Sequence, residues 1–129
     1  MNSVFDNCMS YDLAQALSIL GKNVGHVSAI PGLGGGALDP VIFDYVGPRH
    51  LRLVSVDHAM KRTPAYVADI RRLGVGLFLV DIGTSRQLKA WAICKLIFKA
   101  WDNMESFDEK NGPPFIALVK HNGQVVKFH

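Results

Sequence analysis

The segment Val75-Gly76-Leu77-Phe78-Leu79-Val80 is apolar without a polar interruption. A strand with no polar side has no face to show to water, so it belongs inside a sheet that is covered on both faces. Such sheets are parallel, and their crossovers are helices. This one segment therefore predicts an α/β three-layer sandwich, and the remaining apolar runs alternate with helical patterns in the way that class requires.

Ser3 to Phe5 reads as a first strand. Ser10 is a natural N-cap for a helix with Leu13, Ala16, Leu17 and Leu20 on one face, which Gly21 stops. Val24 to Val27 reads as the second strand. A glycine-rich stretch, Pro31 to Ala37, leads to a short helix that Asp39 caps and Pro40 enters, with Ile42, Phe43 and Val46 inward. Leu51 to Val56 forms the next strand and ends at Asp57. A basic helical stretch follows, with Ala65, Ala68, Ile70 and Leu73 inward, Arg71 and Arg72 near its C-terminal end, and Gly74 as its stop. Thr84 or Ser85 caps the longest helix, Arg86 to Phe107, whose apolar stripe is Ala90, Ile93, Cys94, Ile97, Trp101 and Met104. Pro113 and Pro114 introduce Phe115 to Val119, and the turn His121-Asn122-Gly123 closes a C-terminal hairpin onto Val125 to Phe128. The expected sheet is mostly parallel and flanked by helices.

The chain has 129 residues, 49% of them hydrophobic and 19% charged, which suits one domain over residues 1–129 with one core. No apolar run reaches the roughly 18–20 residues needed to span a bilayer. The start of the chain lacks a basic region followed by an apolar one, so a cytoplasmic protein is expected. Cys8 and Cys94 fit as reduced thiols and are not spaced as a metal motif. The net charge of +3 and pI near 9.0 favour polyanionic partners.

Two of the expected strands end in an aspartate, Asp6 and Asp57, and ligands of open α/β sheets bind at the carboxyl ends of strands. Asp39 opens a helix at the same end. Three carboxylates brought together repel, and a divalent cation relieves the conflict. Oxygen-only donors suit Mg²⁺ or Mn²⁺. A cation so held polarises a phosphoryl oxygen and activates water for in-line attack, which is the chemistry of cutting a phosphodiester backbone. Each acid also has a plain structural role open to it, as a helix cap or a turn residue.

The other candidates carry less. Gly32-Leu33-Gly34-Gly35-Gly36 lacks the Lys-Ser/Thr ending of a phosphate-binding P-loop and reads as a flexible loop over the substrate. Lys61, Arg62, Arg71 and Arg72 suit either an RNA backbone or a solvated face. His58, beside Asp57, is placed to assist proton transfer. Trp91 and Trp101 read as core or interface residues. Phe98 and Phe107 read as exposed aromatics that a homodimer would cover.

The order of motifs resembles the PIN-like nuclease domains, in particular the VapC-type toxins of type II toxin–antitoxin pairs. The opening Phe5-Asp6-Asn7 on the first strand, Asp39-Pro40-Val41-Ile42 at a short helix, Ser55-Val56-Asp57 at a strand end, Lys61-Arg62-Thr63-Pro64 and then Leu73 to Phe78 carry that resemblance. It spans nearly the whole chain. It implies a metal-dependent endoribonuclease, with RNA as substrate and a cognate antitoxin as partner. It also implies Asp6, Asp39 and Asp57 as metal ligands and catalytic residues, with Mg²⁺ or Mn²⁺ as cofactor. Asp81, rather than Asp44 or the hydroxyl of Thr84 or Ser85, is the favoured fourth ligand. Asn7, Ser55, His58, Lys61 and Arg62 are the expected substrate contacts. The chain departs from the family pattern at Ser55, where threonine is usual, and at His58, where arginine or lysine is expected.

Two other readings compete. A phosphoacceptor receiver-like signalling module also places acids after strands one and three, a hydroxyl after strand four and a lysine after strand five, imitated here by Asp6, Asp57, Thr84 and Lys120. A catalytically inactive PIN-like binding module would keep the fold without the chemistry.

Overall fold

A computed structural model describes residues 1–82 and 90–129. The expected cap of the long helix at Thr84 or Ser85 lies outside the described residues. So does the first turn of that helix as read from the sequence.

The chain starts as strand β1 (Asn2–Phe5) and passes through helix α1 (Tyr11–Ile19) to β2 (Asn23–His26). Ser10 caps α1 as expected, its hydroxyl accepting from Leu13 N at 3.2 Å. Gly21 beyond the helix adopts φ 93°, a left-handed turn that a side chain resists. Leu13, Ala14 and Leu17 are buried, but Leu20 is 67% exposed, because the helix ends one residue earlier and turns away from the sheet.

A short 3₁₀ turn and the glycine-rich loop lead to α2 (Asp39–Val46). The loop does not hang free, since Leu33 is buried beneath it. The N-cap of α2 is Leu38, which supplies no side-chain bond, so Asp39 sits in the first turn and does not cap it. An acid there still favours the positive end of the helix dipole.

Strand β3 (Arg52–Ser55) follows. The single basic helix read from the sequence is two helices, α3 (Ala59–Arg62) and α4 (Pro64–Leu73). Pro64 causes the break, because a proline pushes the residue before it out of the helical region, and Thr63 has φ −92° and ψ 110°. The break also rotates α4. Tyr66, Val67, Ile70 and Leu73 pack inward, while Ala65 and Ala68 are exposed. Gly74 ends α4 in the left-handed region.

Strand β4 (Gly76–Val80) is buried at every residue, as its unbroken apolar run demands. Helix α5 (Ala90–Asn111) runs one turn beyond the expected Phe107 and buries Ile97, Ala100, Trp101 and Met104. Ala90 is exposed, Trp91 is 70% exposed rather than core, and Phe107 is partly buried against Phe78 and Phe115. Strand β5 (Phe115–Val119) and antiparallel β6 (Val125–Lys127) complete the hairpin.

The six strands form one sheet in the order β2-β1-β3-β4-β5-β6, parallel except for the last pair. Alternate residues face opposite layers. Phe5, Val54, Phe78 and Ala117 face α1 and α5, while Val4, Leu53, Leu77 and Ile116 face α2, α3 and α4. The protein is therefore a three-layer α/β sandwich with a C-terminal antiparallel hairpin. No helix among the described residues is long and apolar enough to cross a membrane. An ion pair between Arg52 and Asp108, both largely shielded, ties the start of β3 to the end of α5.

The sheet order creates a reversal. The chain leaves β1 for β2 on one side and returns to β3 on the other, with α1 and α2 on opposite faces. The carboxyl ends of β1 and β3 lie side by side at this reversal, the place where open α/β sheets bind ligands.

Helix α2 is held in place by close approach to α4. A Cβ on Gly47 would stand 2.5 Å from Leu73 O. Gly47→Ala should therefore destabilise the fold by about 1–3 kcal/mol through overpacking. A urea midpoint equal to that of the parent chain would show that α2 sits loosely.

Candidate metal centre at the β1–β3 crevice

The crevice holds three of the expected acids. Asp6 follows β1 directly and is only 6% exposed. A buried carboxylate needs donors, and it has them. Oδ1 accepts from Asn7 N at 2.8 Å, and Oδ2 accepts from the Ser55 hydroxyl at 2.9 Å. The Cys8 thiol lies 3.6 Å from Oδ2. The backbone N–H of Asp6 donates to Val54 O at 2.9 Å, so this residue continues the β1–β3 ladder and its position is set by the sheet.

Ser55 is fully buried, and its hydroxyl also accepts from Asp57 N at 3.0 Å. One side chain thus fixes the first acid and the backbone of the third. Ser55, expected as a substrate contact, bonds the Asp6 carboxylate and the backbone of Asp57. Asp57 is exposed, and its Oδ1 accepts from Ala59 N at 3.0 Å at the start of α3.

Asp39 comes from α2, on the far side of the crevice. Partial burial pushes its carboxyl pKa up, and the negative charges of Asp6 and Asp57 push it further. No hydrogen bond to its carboxylate occurs among the described residues, so the α2 dipole alone opposes the repulsion there. The charges of Asp6 and Asp57 thus bear on Asp39.

The donor set fits a hard divalent cation: three carboxylates, no imidazole among them, and mutual repulsion that a cation removes. As placed, they face one another at the range of charge interaction, not of shared ligation. Among the described residues no group of three or more His, Cys, Asp or Glu side chains is gathered closely enough to hold a metal ion. Asp6 and Asp57 each have a backbone N–H on the carboxylate, from Asn7 and Ala59, whereas Asp39 has no such donor among the described residues.

Asp81 stands apart. It ends β4, and its Oδ2 pairs with Lys120 Nζ at 3.0 Å. It is not among the charges that raise the Asp39 pKa. His58 turns its ring towards the sheet, with Nε2–H donating to Val80 O at 2.8 Å. Asn7 is exposed at the rim, and Lys61 and Arg62 lie on α3 immediately beyond Asp57.

Sequence reasoning passed over two residues here. Cys8 faces the crevice, where its Sγ lies 3.2 Å from Ser55 Oγ and accepts from Val56 N at 3.5 Å. Burial pushes its thiol pKa up. His26 ends β2, buried. Ser28 N donates to Nδ1 at 3.1 Å, which places the ring proton on Nε2, and that donates to Met9 O at 2.9 Å. His26 thereby ties the turn after Asp6 to the entry of the glycine-rich loop. Its place at the end of a strand beside β1 was the available signal.

Comparison of the chain with family models, with curated proteins and with solved structures gives no match, so the reading of this rim rests on its geometry. A ¹³C-detected titration should find Asp39 protonating above the ordinary 3.8, and Asp57→Asn should bring it back down. The folded state then holds this proton more tightly than the unfolded chain. The stability associated with Asp39 is full below 3.8 and is lost as pH rises through its raised folded pKa. An Asp39 titration untouched by Asp57→Asn would mean that the acids do not share a field.

Proposed function

We propose that this chain is a metal-dependent endoribonuclease of PIN-like type, acting as the toxin of a toxin–antitoxin pair. The observation that carries the reading is that Asp6 and Asp57 follow the neighbouring strands β1 and β3 while Asp39 opens α2, near enough that, beyond the effect of burial, the first two raise the Asp39 pKa by repulsion. The order of motifs along the chain supports the family, the basic pI supports a polyanionic substrate, and the antitoxin partner rests on the resemblance alone.

In this reading Asp6, Asp39 and Asp57 hold Mg²⁺ or Mn²⁺, which when bound supplies a polarised phosphoryl oxygen and an activated water. Asp6 is the fixed ligand because Ser55 and Asn7 N hold both of its oxygens. Lys61 and Arg62, on α3 beyond Asp57, would meet phosphates of the RNA strand, and Asn7, exposed at the rim, would be a further substrate contact. His58 positions the segment after β3 through Val80 O. Asp81, paired with Lys120, would be the fourth residue to hold the cation.

Purified protein with Mn²⁺ should cut single-stranded RNA, and chelator should stop it. Asp6→Asn should lower the rate at least about a hundredfold, since it removes a carboxylate ligand on which charge stabilisation depends. Mn²⁺ should also raise the thermal midpoint of the parent chain and not that of Asp6→Asn, because a ligand that binds only the folded state stabilises it. No cleavage and no shift with Mn²⁺ would end the proposal.

One observation favours the receiver-like reading. The order β2-β1-β3-β4-β5 is that of the flavodoxin and receiver folds. Lys120, however, pairs with Asp81 and not with Asp57. A labile aspartyl-phosphate after treatment with a small phosphodonor would decide for the signalling module.

A further inference from the structure

Helix α3 leads away from Asp57 along the face of the sheet covered by α2 and α4. There Lys61 Nζ lies 4.8 Å from the centre of the Phe128 ring. Phe128 is 41% exposed, and His129 packs edge-on against it at 4.7 Å. Beside this group a cleft of about 360 Å³ opens between α4 and the β5–β6 hairpin. Arg71, Lys127 and His129 are among its lining residues, and no acidic residue is.

The ring is two-fifths open, Lys61 is the cation over it, and the cleft beside it sets apolar Val67, Ile70 and Pro114 next to Arg71 and Lys127, a mixture that suits the bases and phosphates of a polyanion. Aromatic faces take nucleobases of any identity, and neighbouring cations take the phosphates. We infer that Phe128 is a stacking platform for a base of single-stranded RNA, with Lys61 and Arg71 on the flanking phosphates, guiding the strand over α3 to the acid rim. This deepens the nuclease reading and rests on it for the identity of the ligand, while its own claim concerns binding alone.

The test is fluorescence anisotropy of a labelled oligouridylate of about 12 nucleotides, long enough for one such groove. It is run with the full chain carrying Asp6→Asn, in chelator, so that cleavage plays no part. Phe128→Ala should weaken binding about fivefold to a hundredfold, and Phe128→Trp should keep it. Lys61→Gln should weaken binding and reduce the slope of log affinity against log salt by about 1. If the alanine variant loses thermal stability, the tryptophan and Lys61→Gln variants decide. The inference is overturned if Phe128→Ala binds as tightly as its parent, if Phe128→Trp binds as weakly as the alanine variant, or if Phe128 proves necessary only for a protein complex. Phe128-dependent binding without any Mn²⁺-dependent cleavage by the parent chain would leave this platform standing and sink the nuclease.

Discussion

The centre of the sheet is dry on both faces, and the rest of the molecule follows from that. Strand β4 buries all five of its residues, and β3 buries Leu53, Val54 and Ser55. A charge cannot be placed inside such strands without a partner, because burying it unpaired costs far more than a fold of this size can bear. Acids are thereby confined to the strand ends. Since β1 and β3 are neighbours and their connections diverge, the end of each opens into the same crevice. Asp6 and Asp57 meet there, and α2 brings Asp39 opposite them. The crowding of negative charge is a consequence of how the apolar core is built.

The three acids are not held alike. Asp6 lies in the β1–β3 ladder, with Ser55 and Asn7 N on its oxygens. Ser55 is buried under the rim and reaches both Asp6 and the backbone of Asp57, so one hydroxyl sets the spacing of two acids. Asp39 is placed only by its helix, which Gly47 lets approach α4 closely. Asp57 has one backbone donor on its carboxylate, from Ala59 N, and Asp39 has none among the described residues.

The strand order is shared by folds with unrelated chemistries, so the order by itself decides nothing about activity. What separates the readings is the pairing of charges across the rim. Lys120 belongs to Asp81, at the end of β4, one strand away from the Asp6–Asp57 pair. Among the described residues, Asp81 pairs with Lys120 at the β4–β5 end, while Asp6, Asp39 and Asp57 lie towards the β1–β3 end.

Much of this was legible in the residues. The unbroken apolar run of β4 demanded helices on both faces, Ser10 marked the start of α1, Gly21 and Gly74 marked helix ends, and His121-Asn122-Gly123 marked the hairpin. These signals are local, and a local signal needs only neighbouring residues to act. The places of Asp6, Asp39 and Asp57 at element ends were readable for the same reason. The break at Thr63 was local too, written in Pro64, but the strong amphipathic pattern around it masked the signal. Tertiary structure decided the rest. Ser55 meets Asp6 across 49 residues, Lys120 meets Asp81 across 39, and Lys61 meets the ring of Phe128. Leu20, Ala65 and Ala68 turned outward because helix length and rotation are set by packing against the sheet. The sequence by itself determined which segments are strands and which residues can bear charge at their ends. Which of those charges face one another was settled only by strand order and helix placement, because electrostatic contact depends on distance in space and carries no trace in the spacing along the chain.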